Sequence, residues 1–171
     1  PAMVCGSSVA IEDDAVVIGA PGATNPSTGE TYAGKAELYR FLFGARAPTS
    51  LQRIATLRPI AGSNQYLGRD VAINRTAIVV GAPEATITQA SQGRGYVYLR
   101  PEVSWTGNAS IQADAVIGSP ANGADDDFGA AISVSDRNLV VGVPKADAPS
   151  AADAGRADTY TFDRINAGGF E

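Results

Sequence analysis

The side chains able to do chemistry are unevenly supplied. There is no histidine and one cysteine, Cys5, against two dense carboxylate runs, Glu12-Asp13-Asp14 and Asp125-Asp126-Asp127. Without imidazole the chain lacks the usual general base near neutral pH, the Ser-His-Asp triad and imidazole-ligated zinc. Cys5 has no histidine to activate it and no second cysteine for a disulfide within the chain, so it is expected to be a small buried hydrophobe. Two acids suffice for glycoside hydrolysis, but acids adjacent in one tripeptide cannot flank a scissile bond. Both runs read as polar turns, and no catalytic residue is assigned. The remaining chemistry for Asp125, Asp126 and Asp127 is to offer oxygen ligands to a cation, of which calcium is the natural choice.

The elements that would position these groups come from a repeat. The stretch CGSSVAIEDDAVVIGAP from Cys5 to Pro21 returns as LGRDVAINRTAIVVGAP from Leu67 and as FGAAISVSDRNLVVGVP from Phe128, without gaps. A period of about sixty residues points to an array of similar units rather than one irregular core. Val9 and Ile11, Val71 and Ile73, and Ile132 and Val134 alternate with small or polar neighbours, the period of a strand. The polar segments Glu12-Asp13-Asp14, Asn74-Arg75-Thr76 and Ser135-Asp136-Arg137-Asn138 suit tight turns. Continuous apolar runs follow at Val16–Ile18, Ile78–Val80 and Leu139–Val141, as expected for strands covered on both faces. Each run stops at Gly-Ala-Pro or Gly-Val-Pro, because proline removes a ladder donor. Third strands are predicted at Lys35–Phe41, Arg94–Arg100 and Arg156–Phe162, each preceded by glycine and each carrying tyrosine at the same place (Tyr39, Tyr98, Tyr160). Fourth strands are suggested by the spacing of Leu51 and Leu57 and of Trp105 and Ile111.

Phe128-Gly129 and Gly81-Ala82-Pro83, with their in-phase counterparts Cys5-Gly6, Leu67-Gly68, Gly19-Ala20-Pro21 and Gly142-Val143-Pro144, resemble the FG-GAP repeat of integrin alpha-subunit propellers and many extracellular bacterial proteins. The resemblance covers nearly the whole chain. It implies an all-β fold of three four-stranded antiparallel blades, 1–66, 67–127 and 128–171, forming a segment of a six- or seven-bladed β-propeller in which the third blade lacks its fourth strand. It also implies an extracellular, cell-surface or periplasmic location. Calcium loops of the DxDxDG type occupy the first turn of many such blades, but IEDDA, INRTA and VSDRN are too short and lack the alternating acids, so no cofactor is expected at these turns.

In an antiparallel blade the loops after the second strand and after the fourth share one face. On that face Asn25, Glu30, Tyr32, Thr88, Gln89, Lys145 and Asp147 are the candidate ligand-binding residues. Asn74 and Asn108 satisfy the N-glycosylation rule, whereas Asn25-Pro26-Ser27 is excluded by proline. Gly68-Arg69-Asp70 opens a strand and is read as scaffold. The repeated tyrosines are expected to pack between units.

The net charge of −5 and a pI near 4.7 argue against nucleic acid and against an anionic membrane. No apolar run approaches the roughly 18 to 20 residues of a transmembrane helix, and the few residues before the first repeat carry no signal-peptide pattern. Three blades leave sheet edges and apolar faces uncovered. Further blades are therefore expected as partners, from a longer chain by preference or else from identical chains. The function expected is non-catalytic binding of a protein or glycan, with a structural role in a surface assembly as the alternative and a carboxylate enzyme third.

Overall fold

The computed structural model describes residues 5–43, 48–59, 65–100, 109–119, 121 and 123–162. Trp105, Asn108 and the terminal Gly168–Glu171 lie outside the described residues. The fold is all-β, with twelve strands in three sheets among the described residues. Among the described residues no helix is long and apolar enough to cross a membrane.

The first sheet holds β1 (Val9–Glu12), β2 (Ala15–Ala20), β3 (Lys35–Phe43) and β4 (Pro48–Arg58) in meander order. The second holds β5 (Val71–Ile73), β6 (Ala77–Ala82), β7 (Arg94–Leu99) and β9 (Ala115–Ile117), and the third holds β10 (Ala131–Val134), β11 (Asn138–Val143) and β12 (Arg156–Thr161). Neighbours within each of these sets pair antiparallel. The short β8 (Ala109–Gln112) departs from expectation. Rather than serving as an outer strand of the second sheet, it pairs parallel with β4, Ala55 opposite Ala109 through Arg58 opposite Gln112, and makes the first sheet five-stranded. The second sheet is completed by β9 after a break at Ala113-Asp114, where Asp114 Oδ2 accepts a 2.7 Å hydrogen bond from Leu99 N. The described third sheet has three strands.

The repeated turns form as two-residue connections where Asp13 adopts φ +53° and Glu12 pairs with Ala15. In the second unit Asn74 does this work: its Oδ1 accepts from Thr76 N, Thr76 Oγ1 and Ala77 N at 2.9, 3.0 and 2.7 Å. An Asn or Asp oxygen imitating a backbone carbonyl is why such residues seed turns.

The units stack face to face. Ala15, Val17 and Leu38 of the first sheet bury against Val71, Ile73, Ile78, Val80, Tyr96 and Tyr98 of the second. The opposite face of the second sheet, with Ala77, Val79, Val97 and Ile117, buries against Phe128, Leu139, Val141 and Val143 of the third. All six residues of β6 are consequently buried, whereas β2 and β11 alternate. An inner strand with neighbours on both sides has no solvent face, so it reads as one apolar run.

Glycines set the spacing of the stack. A β-carbon at Gly19 would collide with the Gly68 carbonyl, and one at Gly81 with the Gly129 carbonyl. Gly34 and Gly93 lie equally close to the backbone of Leu67 and Phe128, forming parallel bridges across the joints. Each joint is also pinned by side chains. Ser8 Oγ donates to Gly68 O at 3.0 Å, Asp70 Oδ2 accepts from Ile132 N at 2.6 Å, and Asn74 Nδ2 donates to Ser135 O at 2.7 Å.

The stack has two ends, and the described sheets do not close on themselves. At the first end Val9 is 67% and Ile11 61% exposed. Cys5 is exposed there as well, which corrects the expectation of a buried hydrophobe. Its counterparts Leu67 and Phe128 are buried because each lies against the glycine of a preceding unit, and no described unit precedes Cys5. At the other end Val140 is exposed beside a shallow depression of about 240 Å³ between Asp70, Ala131, Ile132 and Gly142.

Candidate binding face

Every loop after a second strand begins and ends alike. Ala23 N, Ala85 N and Ala146 N donate to Ala20, Ala82 and Val143 O, and Gly34, Gly93 and Gly155 N donate back to Ala23, Ala85 and Ala146 O at 2.9, 3.0 and 3.0 Å. This closes each loop at its base and leaves the body free to differ. The segments leading from one unit to the next dock on those loops. Tyr66 N donates to Tyr32 O and Asp127 N to Ser91 O, at 3.0 and 3.1 Å. The two kinds of loop therefore form one continuous surface across all three units.

Left-handed backbone recurs at this surface in phase with the repeat. Tyr32, Ser91 and Asp153 have φ near +50° (51, 47 and 51), and Tyr66 and Asp127 have φ +53° and +58°. A bulky residue in this region is uncommon and is held there by its surroundings. Tyr32 and Tyr66, both so strained, stack with ring centroids 5.1 Å apart and an interplanar angle of 12°. Burial, followed by the Glu84 carboxylate and Tyr32, raises the Tyr66 hydroxyl pKa above its ordinary value.

Glu84 continues the surface beyond the stack. Partial burial and then the neighbouring Asp127 push its pKa up, against the opposing pull of Lys145 and Arg69. Lys145 Nζ pairs with Asp127 Oδ2 at 2.8 Å. That hydrogen bond, before the charge itself, raises the Lys145 pKa. An aromatic stack, a carboxylate and a lysine–aspartate pair thus run along the face.

Of the residues proposed from sequence, Tyr32 and Lys145 join this constellation. The others are engaged within their own loops. Asn25 N donates to Glu30 O, and Glu30 Oε2 accepts from Thr28 Oγ1 at 2.7 Å. Thr88 N, Thr88 Oγ1 and Gln89 N all donate to Gln92 Oε1. Asp147 Oδ1 accepts from Asp153 N at 2.9 Å. Sequence reasoning missed Tyr66 and Glu84. Their signal was positional: each directly flanks a repeat motif, Tyr66 before Leu67-Gly68 and Glu84 after Gly81-Ala82-Pro83.

The three consecutive acids separate. Asp126 is buried with Oδ2 accepting from Gly123 N at 2.8 Å, Asp127 holds Lys145, and Asp125 adopts φ +61° with its amide donating to Ala90 O. Among the described residues no group of three or more His, Cys, Asp or Glu is arranged to hold a metal ion. Asn74 is 4% exposed with Nδ2 committed to Ser135 O, so a glycan at that nitrogen and the joint between the second and third units exclude one another.

The chain matches no known family profile, and no curated protein is significantly similar to it.

Proposed function

We propose that this chain is a non-catalytic binding module of an extracellular, cell-surface or periplasmic protein, with its three units arranged as blades of an FG-GAP-type propeller. It takes a protein or glycan ligand across the loop face. The observation that carries this reading is the Tyr32–Tyr66 stack, held at left-handed backbone positions beside Glu84 and the Lys145–Asp127 pair. A rigid aromatic surface bordered by polar groups suits stacking on a sugar ring or burying a peptide side chain at small entropic cost. Loops that vary above a base repeated in every unit are the usual way a fixed scaffold carries recognition.

Glu84 and Asp127 are the acids an enzymatic reading would use, one with a raised pKa beside the other. Lys145 already holds Asp127, which favours structural pairing over proton transfer.

The test is a glycan-array and surface-protein binding screen with wild type, Tyr32→Gly and Tyr66→Gly. Glycine adopts the left-handed backbone readily and removes the whole side chain, ring and hydroxyl included. The proposal expects ligand capture to be lost in both variants with the unfolding midpoint retained. Capture indifferent to both changes contradicts it, and ligand turnover abolished by Glu84→Gln would replace it with the enzymatic reading.

A further inference from the structure

We propose that the exposed last face of the third unit receives the exposed first face of the first unit of a second copy of this chain. The argument rests on the two joints inside the chain, which follow one pattern.

At each joint the glycine ending the second strand of one unit faces the glycine opening the next: Gly19 meets Gly68, and Gly81 meets Gly129. The glycine before the third strand meets the residue that opens the next unit, so Gly34 bridges Leu67 and Gly93 bridges Phe128. Val17 shares a buried cluster with Ile73, and Val134 packs against the cluster that holds Val79. The third-strand tyrosine of the later unit reaches back, Tyr98 to Arg58 O at 2.7 Å and Tyr160 to Gly118 O at 3.2 Å.

Both halves of a third such joint are present, and among the described residues neither has its counterpart. In the third unit Gly142, Gly155 and Val140 occupy the receiving places, with Val140 exposed and, among the described residues, only Ala131 near Gly142 and Pro144 near Gly155. In the first unit Gly6, Cys5 and Ile11 occupy the entering places. A β-carbon at Gly6 would have nothing within 4 Å among the described residues, although its φ of +86° matches the +94° and +91° of Gly68 and Gly129. Tyr39, with no described unit before it, turns its hydroxyl to Glu37 of its own strand at 2.6 Å. The faces are complementary to each other rather than to themselves, so the contact is head-to-tail, which closes into a ring or extends into a filament. The number of copies, and only that, rests on the propeller reading: with four to eight blades the workable range, three units per copy select two copies.

Sedimentation or light-scattering mass of the 171-residue chain tests this. The expected species has twice the chain mass of 17.5 kDa. Val140→Glu and Ile11→Lys, both at exposed positions, each yield a folded 17.5 kDa species by mass and near-UV circular dichroism. Mixing the two variants restores the pair, because one joint is then unaltered and the other carries opposite charges. The Cys5 thiol reacts slowly with a maleimide in the wild-type pair and quickly in either variant. A wild-type chain that stays at 17.5 kDa at its highest soluble concentration overturns the proposal, as does association unaffected by both variants. A mass that climbs without limit overturns the closed pair and the radial arrangement behind it. Ligand capture through Tyr32 and Tyr66 is read separately and survives any of these failures.

Discussion

The Tyr98 hydroxyl, on a fully buried side chain in the second unit, donates a 2.7 Å hydrogen bond to the Arg58 carbonyl at the end of the first unit's outer strand. Burial drives its pKa well above the ordinary value, so the proton that makes the bond stays in place at any working pH. Tyr160 repeats the relationship toward Gly118 O at 3.2 Å from a half-buried site, and its ring meets Phe128 edge-to-face at 6.2 Å. Removing a hydroxyl that satisfies a buried carbonyl costs about 1–3 kcal/mol, and less where water can substitute. Tyr98→Phe is therefore expected to lower stability by about 1–2 kcal/mol in urea denaturation, and Tyr160→Phe by clearly less. Equal effects would mean the two hydroxyls do not serve the joints as described.

Gly81→Ala drives a methyl group into the Gly129 carbonyl, a backbone atom that cannot move without opening the joint. Overpacking of this kind costs about 1–3 kcal/mol. Gly118→Ala, where nothing lies within 4 Å of the added carbon, is the matched control and should change the unfolding midpoint little.

Asn74 serves its own turn through Oδ1 and the third unit through Nδ2. Asn74→Ala loses both and should lower stability by about 1–3 kcal/mol in thermal unfolding. Asn74→Asp keeps the turn acceptor but sets a buried carboxylate oxygen against Ser135 O, so it should be no more stable than the alanine variant.

Acid should weaken the first unit through Glu37. Burial alone would raise the pKa of this 7%-exposed carboxylate, but hydrogen bonds from Lys35 and Tyr39 and the charges of Lys35 and Arg53 outweigh it and hold the value below the ordinary 4.5. A depressed carboxylate contributes stability that is present above the unfolded pKa and lost as pH falls through the folded one. Wild type should thus lose stability below about pH 4.5 more steeply than Glu37→Gln. At the alkaline end Tyr39, raised to about 12 first by its bond to Glu37 and then by burial, works in the opposite sense. Its contribution is complete below pH 10 and disappears on approaching 12, so Tyr39→Phe should flatten that limb.

The strands were legible because the repeat states each of them three times. Lys35–Phe43, Arg94–Leu99 and Arg156–Thr161 begin where the sequence places them, since glycine, a basic residue and an in-phase tyrosine mark every copy. What lies beyond the repeat was legible only in part. The Leu51–Leu57 spacing falls inside β4, but β8, which holds Ile111, joins the first sheet instead of the second because pairing with β4 satisfies an edge that local composition does not reveal. At the candidate site Tyr32, Ser91 and Asp153 share one backbone conformation and no chemistry, so the in-phase left-handed positions are invisible in residue type. The fate of Cys5 likewise depends on a neighbour rather than on its own character.

The central claim is that the three units are joined by backbone contacts at their repeated glycines. Residue-resolved amide hydrogen exchange tests it most directly, through amides whose described partners lie across a joint: Leu67 to Ala33 O, Phe128 to Gln92 O and Ile132 to Asp70 Oδ2. All three should exchange as slowly as the central strand β6, and Gly81→Ala should release Phe128 and Ile132 while leaving Leu67 protected. Exchange of these amides at the rate of an open loop, with β6 still protected, would contradict the stacked arrangement.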